Sequence, residues 1–410
     1  MSLAAWGAAL AAFSGGKGVE EMRWKFRLSL AAVVLMAVAV LVPTPAGAGA
    51  PAMPTLVAAG FDSPRGVEFF KGTLVVAEAG HGGKNCIPGT PTICFGRTSQ
   101  ISWVNMANKT HTPLVDHLFS AAEFFDPTHG EALGVDGISA RDGSLMAILG
   151  VFPQAFANYQ CAPGNTECQA DVAAAKKEAG ALLSVRSNGS WRKVAGVGAF
   201  GFDYTANIPN QEHDSNPYGV LGVNGGSYVA DAGSNTLEFV SNGGHISVLH
   251  YFPWRDPNPH AFPSDEVPDC IAKTDDGLWV ATLAGHLYRV HGRSVTLVAN
   301  SDLKHVTGCA ADGQGNVYFV NMWTTPTPPQ PLTGNIVKLD TEEGTSSVIA
   351  AGLNFPNMDV VGPDGNLYFS ADSVCPATGI PHLCDGGGTV WKLALPHDNE
   401  GGDDRSSRRD

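Results

Sequence analysis

Six positions are candidates to surround a shared opening, Arg65, Asp136, Tyr218, Asp269, Gly308 and Asn357, and all but the glycine carry side chains suited to chemistry. Each opens a short β-rich run, most of them one step ahead of a small residue. If the six runs are equivalent strands of a ring, these residues converge although they are far apart in the chain. Asp136, Asp269 and Asn357, joined by Asn216, offer the hard oxygen donors that a divalent cation takes, and calcium is the expected ion. Glu131, Asp214 and Glu266 lie in nearby loops. The same residue types also hydrogen-bond the turns between strands, so a purely structural use stands beside the metal-binding one. Arg65 and Tyr218, with Glu78 and His129, are the expected ligand contacts.

Four histidines, His129, His213, His260 and His305, fall in loops that lead into these runs. His213 is flanked by Glu212 and Asp214. His213, His305 and Asp214 are therefore the candidates for proton transfer, against the simpler reading of solvent-facing loop residues. Glu78, Asp231 and Asn321 end another set of runs. In Val-Ala-Asp-Ala-Gly-Ser-Asn at 229–235, the aspartate reads as an acceptor for the turn that follows. The sequence contains no Gly-x-Ser-x-Gly elbow, P-loop or dinucleotide fingerprint, which sets aside an α/β serine hydrolase and a nucleotide-dependent enzyme.

The elements that would position these residues repeat. A Gly-led turn followed by a β-rich run occurs six times: 72–77, 143–148, 226–230, 277–281, 315–320 and 365–370. Each is followed by a third strand-like run, at 98–104, 181–185, 236–240, 286–290, 335–339 and 389–393. Most units add a fourth, as at 247–250, 295–298 and 346–350. Six units of four short strands predict an all-β, six-bladed β-propeller of the NHL or SMP-30 kind. The last unit lacks its fourth strand, and residues 55–58 match it. Leu-Val-Ala-Ala-Gly-Phe-Asp-Ser-Pro-Arg at 56–65 parallels Val-Ile-Ala-Ala-Gly-Leu-Asn-Phe-Pro-Asn at 348–357. The N-terminal strand is thus expected to close the ring and remove an exposed edge. The long insertions at 80–97, 150–180 and 373–388 fall on one face with the blade-to-blade loops at 117–135, 198–216 and 252–267. Loops this long are usually functional or disordered, so the site is expected there. Residues 169–179 predict a short helix, which with Phe152, Phe156 and Tyr159 forms either a lid or a packed insertion.

Composition agrees. The 410 residues include 49 Gly and 27 Pro, and only 16% are charged, with 39 acidic against 25 basic side chains and a net charge of −14. That balance excludes a coiled coil, a helical bundle and a charge-driven disordered chain. The absence of a basic stripe argues against nucleic acid as a partner. Arg23, Lys25 and Arg27, an apolar run from Leu28 to Val42, and small residues to Ala48 predict a secretory signal peptide at 22–48, with residues 1–21 an over-extended start. The apolar run is short for a membrane span, which needs about 20 residues. The propeller is expected over 51–396, with a disordered tail at 397–410. Loss of residues 1–48 removes four basic and two acidic side chains, leaving a charge of −16. We expect a secreted monomer without a stable membrane span.

Eight cysteines suit an oxidising compartment. Three pairs sit within insertions: Cys86 with Cys94, Cys161 with Cys168, and Cys375 with Cys384. The remaining Cys270 and Cys309 take the same place in successive units and would be neighbours around the channel.

Pro-Arg-Gly at 64–66, Val-Ala-Glu-Ala-Gly-His-Gly-Gly at 76–83 with Cys86, Asp-Ser-Asn-Pro-Tyr-Gly at 214–219 and Val-Ala-Asp-Ala-Gly at 229–233 resemble the ScyD/ScyE family. These are secreted NHL-like propellers named for scytonemin biosynthesis, and the resemblance spans residues 54–395. It implies the propeller fold but no single reaction. Cys270, Cys309 and the Pro/Thr stretch at 322–333 depart from its pattern. The functional expectation is a propeller that binds a small molecule, glycan or protein on its loop-rich face. The alternative is a cation-dependent hydrolase or lyase acting at the same mouth.

Overall fold

The computed structural model describes residues 53–89, 91–124, 130–258, 262–326 and 329–396. The expected signal segment, the tail, His129 and His260 lie outside the described residues.

Six antiparallel sheets form the ring. Blade 1 runs Pro64–Phe70, Thr73–Glu78, Thr92–Asn105 and Thr110–Phe124 from the axis outward. Blade 2 is Val135–Arg141, Ser144–Leu149, Ala181–Val185 and Trp191–Gly196. Blade 3 is Pro217–Val223, Gly226–Asp231, Thr236–Ser241 and Ile246–Tyr251. Blade 4 is Pro268–Thr274, Gly277–Thr282, Leu287–His291 and Ser294–Val298. Blade 5 is Val306–Ala311, Asn316–Asn321, Gly334–Asp340 and Ser346–Leu353. Blade 6 combines Asp359–Val361, Leu367–Ala371 and Gly388–Leu393 with the N-terminal Thr55–Phe61, which pairs with Gly388–Leu393 and closes the ring.

The second strands are apolar at nearly every position because both faces are buried. Leu74 and Val76 pack toward blade 6, while Val75 and Ala77 pack toward blade 2. Val317 and Phe319 likewise face blade 4, and Tyr318 and Val320 face blade 6. Side chains alternate along a strand, so a blade between two neighbours needs apolar residues on both phases. The core is therefore distributed over six seams, one between each pair of adjacent blades.

At the axis the inner strands approach closely. A Cβ at Gly137 would lie 2.6 Å from the Tyr218 carbonyl, and one at Gly219 would lie 2.4 Å from the Asp269 carbonyl. The small residue after each ring position is thus the place where one blade meets the next.

Blade 1 differs from the expectation. The segment read as an 80–97 insertion is largely β structure. The third and fourth strands run past the ring, and Asn85–Ile87 and Gly130–Leu133 pair with their extended ends. Gly82, Gly83 and Gly96 permit this, since a Cβ on Gly82 or Gly83 would sit 2.4 Å from a backbone oxygen. The result is a wall standing beside the mouth.

Helix α1, Thr166–Glu178, appears where a helix was expected, starting three residues earlier with Asn165 accepting a bond from the Cys168 N–H. It buttresses the wall. Asp171 binds Arg97 at 2.8 Å and Asn85 at 2.7 Å, and Glu178 accepts from the Phe119 N–H. Phe156 is fully buried against Phe95 and Phe119, and Tyr159 packs edge-on to Phe95. The aromatic insertion is packing and not a lid. A further helix, α2 at Val197–Thr205, occupies the 198–216 loop.

All four expected disulfides are present, including Cys270–Cys309 between the inner strands of blades 4 and 5. Those two cysteines are offset by one position, because Cys270 pairs with Ala281 while Gly308, and not Cys309, pairs with the equivalent Val320. No helix among the described residues is long and apolar enough to cross a membrane.

Candidate functional site at the channel mouth

Five of the six inner strands begin with an irregular step that aims a side chain into the channel, and Asn357 lies just ahead of the sixth, Asp359–Val361. The register breaks contain Tyr218 between Pro217 and Gly219, Asp269 between Pro268 and Cys270, and Thr307 between Val306 and Gly308. The ring is therefore Arg65, Asp136, Tyr218, Asp269, Thr307 and Asn357. Gly308, the expected fifth member, lies one step deeper and lines the channel below. Simple strand counting misses the extra residue of the irregular step.

Arg65 is the centre of the arrangement. It is 2% exposed, and its Nη2 donates to the Ala132 carbonyl at 2.9 Å. Nη2 also lies 3.7 Å from Glu131 Oε1, and Nε lies 3.7 Å from Asp136 Oδ1. Burial acts to lower its proton affinity, but Tyr218, Glu131 and Asp136 more than reverse that effect. Tyr218 comes from blade 3 and donates its hydroxyl to Asn357 Oδ1 of the opposite blade 6 at 2.8 Å. This bond joins opposite blades, and the channel holds an upper and a lower recess of about 50 Å³ each, with Asp269 lining both and Tyr218 lining the upper one.

The carboxyls around Arg65 hold protons unusually tightly. Burial pushes Asp136 up to about 8 and Glu131 up to about 7, in both cases against the pull of Arg65. Asp269 is also raised well above its usual range, first by burial and then by Asp136. The wall of blade 1 adds Glu123, which is paired across the strands with Glu131. Burial, then Glu131 and Asp214, pushes Glu123 up to about 9. Asp214 is pushed up to about 6, chiefly by burial. Near neutral pH Glu123 and Asp136 are largely carboxylic acids able to donate as well as accept, Glu131 is divided between its two forms, and Asp214 is mostly ionised. Blades 4 to 6 supply an apolar side, with Val267, Leu283, Met322, Trp323 and Phe355 in one buried cluster with Tyr218.

The four residues expected to ligate a cation do not fit one as they stand. Asn357 Oδ1 accepts from Tyr218, and Asn216 Oδ1 accepts from the Val151 N–H at 2.9 Å. The Arg65 guanidinium already supplies the positive charge beside Asp136. Among the described residues, no three or more His, Cys, Asp or Glu groups gather as a metal-holding set.

The expected proton-transfer residues do not assemble. His213 is exposed and stacks on Phe202 at 3.6 Å, and Phe202 stacks in turn on Phe152. His305 stacks on Trp323, and its Nδ1 donates to the Trp323 carbonyl at 3.0 Å. Burial pushes it down to about 4, so the ring is neutral across ordinary pH. Asp214 is buried, with Oδ1 accepting from the Ser215 N–H. Glu78 lies away from the ring, engaged by the Asp62 N–H, Gln100 and Ser102. Asp231 holds its turn as expected, accepting from the N–H groups of Asn216, Gly233 and Ser234. Glu123 and Thr307 were not read from the sequence. The acidic alternation at 123 and 131 is a signal only once the two segments are known to pair.

No protein-family model and no curated protein matches the chain. Solved structures do. A Bacteroides thetaiotaomicron protein of unknown function aligns with a TM-score of 0.51 at 9% identity, over 83% of this chain and 75% of that one. A gluconolactonase from Xanthomonas campestris aligns at 0.48 and 10% identity, over 86% and 99%. A calcium-binding protein, regucalcin, from Agrobacterium tumefaciens aligns at 0.44 and 12% identity, over 84% and 91%. The likeness is one of fold alone.

Proposed function

We propose that this protein is a secreted, monomeric propeller of the ScyD/ScyE kind that binds a hydroxyl-bearing ligand, a small molecule or glycan, across the mouth of its channel. The observation that carries this reading is the unsatisfied polarity around Arg65. Arg65 Nε, Asp136 Oδ1 and Asn357 Nδ2 are buried without a hydrogen-bond partner among the described residues, beside the upper recess. Leaving such groups unpaired costs about 1–3 kcal/mol each, and a ligand hydroxyl relieves it. A recess of about 50 Å³ admits one such group while the rest of the ligand lies over the apolar side formed by Val267, Leu283 and Met322. The Asp-Ser-Asn-Pro-Tyr-Gly stretch at 214–219, the most specific part of the resemblance, carries Asn216 and Tyr218, which line this recess. Four disulfides support an extracellular setting.

Calorimetric screening of soluble sugars and polyols against residues 51–396, with calcium and with a chelator, tests the reading. Saturable binding that survives chelation and weakens at least tenfold in Asp136→Asn and Tyr218→Phe is expected. Binding unchanged in both variants would remove the mouth as the site. A strict calcium requirement would favour the alternative, cation-dependent chemistry with His213, His305 and Asp214 as proton-transfer groups.

A further inference from the structure

A cavity lies beside the mouth and not in it, at the seam of blades 1 and 6. It measures about 490 Å³, within the range of roughly 300–1,000 Å³ typical of small-molecule sites. Ala122 and Phe124 of the blade 1 wall form one side. Pro376, Ile380 and Pro381 of the blade 6 loop form the other. Both sides are stapled. Cys94, bonded to Cys86, is the strand partner of Ala122, and Cys375–Cys384 closes the opposite loop. The walls are therefore held in place before any ligand arrives, which spares it an ordering cost.

One titratable side chain lines this apolar space, His81. Its Nδ1 lies 2.6 Å from Asp62 Oδ2, so Nδ1 carries the proton and Nε2 is the ring's acceptor when the imidazole is neutral. Asp62 is itself fixed from both blades. Its Oδ1 accepts from the Ala377 N–H at 3.3 Å, and its own N–H donates to Glu78 at 2.8 Å. The His81 N–H donates to Thr98 Oγ1 at 3.0 Å, which sets where the ring begins. A histidine oriented by a carboxylate needs a reason to be held so firmly, since its side chain is 58% exposed and gains little from packing. No hydrogen bond within the described residues uses Nε2. Ser63 adds a hydroxyl on the same lining.

We propose that this cavity is a second ligand site, which takes a small, mainly apolar molecule carrying a hydroxyl that donates to Nε2 of His81. Phe124 offers a ring for an aromatic body, and His81, whose proton affinity the bond to Asp62 raises, supplies a directed acceptor at one end at a pH high enough for the imidazole to be neutral. The site is independent of the reading of the mouth, although Ala132, whose carbonyl receives Arg65, separates the two.

Phenol and its O-methyl ether, anisole, share a shape but differ in the hydroxyl proton, and NMR titration of both against the full propeller tests the proposal. Phenol is expected to bind one-to-one and at least tenfold more tightly than anisole. His81→Ala is expected to erase that preference. Thr378→Trp, which fills the cavity from an exposed loop position, is expected to abolish binding of both, while His291→Ala on the far blade leaves it unchanged. Thermal melting establishes that each variant is folded. Equal binding of phenol and anisole, no saturable phenol binding, or an unchanged preference in His81→Ala would overturn the proposal. So would loss of phenol binding in Asp136→Asn but not in His81→Ala, which would assign the probe to the mouth.

Discussion

Nε of Arg65 stands 3.7 Å from Oδ1 of Asp136, close enough to attract and too far to hydrogen-bond. A tight pair would have satisfied both atoms. This spacing leaves one cation shared among Asp136, Glu131 and the neighbouring Asp269, each deeply set and each favouring its protonated form.

Replacing that cation has a defined consequence. Arg65→Met leaves buried carboxyls without a counter-charge, and breaking a buried pair in this way destabilises by about 3–5 kcal/mol. Urea unfolding at pH 7 should show the loss, and the deficit should shrink at pH 5, where the acids are protonated in the folded protein and need no counter-charge. An equal deficit at the two pH values would mean that Arg65 acts by packing alone.

The wild-type protein should lose stability as the solution becomes alkaline. Glu123, Glu131, Asp136 and Asp214 hold protons to about 9, 7, 8 and 6 when folded. Unfolded carboxyls release theirs near pH 4. The native state therefore binds more protons between these limits, and the stabilisation present below pH 4 drains away as pH rises to about 9. Each group contributes a slope of up to about 1.4 kcal/mol per pH unit before solvent screening. Denaturant midpoints from pH 5 to 9 should fall, and Glu123→Gln should flatten the upper part of the curve. A midpoint that rises over this range would contradict the proton-holding mouth.

Much of the fold is legible in the sequence because it rests on local chemistry repeated six times. The glycine-led second strands are apolar on both phases, and the orphan strand at 55–58 matches the gap in the last blade. The ring residues were legible to within one position, and Gly308 for Thr307 shows why. The irregular step that aims a side chain into the channel adds a residue without leaving a mark in composition. Side-chain competition was the harder problem. Nothing near His213 in sequence reveals that Phe202 will cover it. The tie between Asn216 and Val151 crosses two blades. The blade 1 wall was read as a loop because its pairing depends on glycines that mimic turn residues.

His305 illustrates how a suggestive residue becomes structural. Burial against Trp323 lowers its proton affinity despite the bond to the Trp323 carbonyl, and predicts that the imidazole does not titrate between pH 5 and 8 in an NMR series. His305→Phe should keep the stack and lose the hydrogen bond, lowering stability by about 1 kcal/mol. A titration midpoint near 6.5 would show instead that the ring is free.

The Cys270–Cys309 staple joins inner strands of adjacent blades and closes a loop of 39 residues. Replacing both cysteines with serine should lower stability by about 2–4 kcal/mol in denaturant unfolding. Replacing Cys375 and Cys384 should cost less globally, while loosening one wall of the seam cavity and weakening phenol binding. A larger global loss from the loop pair would reverse this assignment of roles.

The closing strand also decides how the molecule can be held. Phe61 pairs with Gly388 on the loop-rich side, and Thr55 pairs with Lys392 at the opposite end of the same two strands. Thr55 and Leu393 therefore sit together at the strand ends on the face away from Arg65. A probe attached at Thr55 or Leu393 sits behind the ring and leaves the approach to the mouth clear.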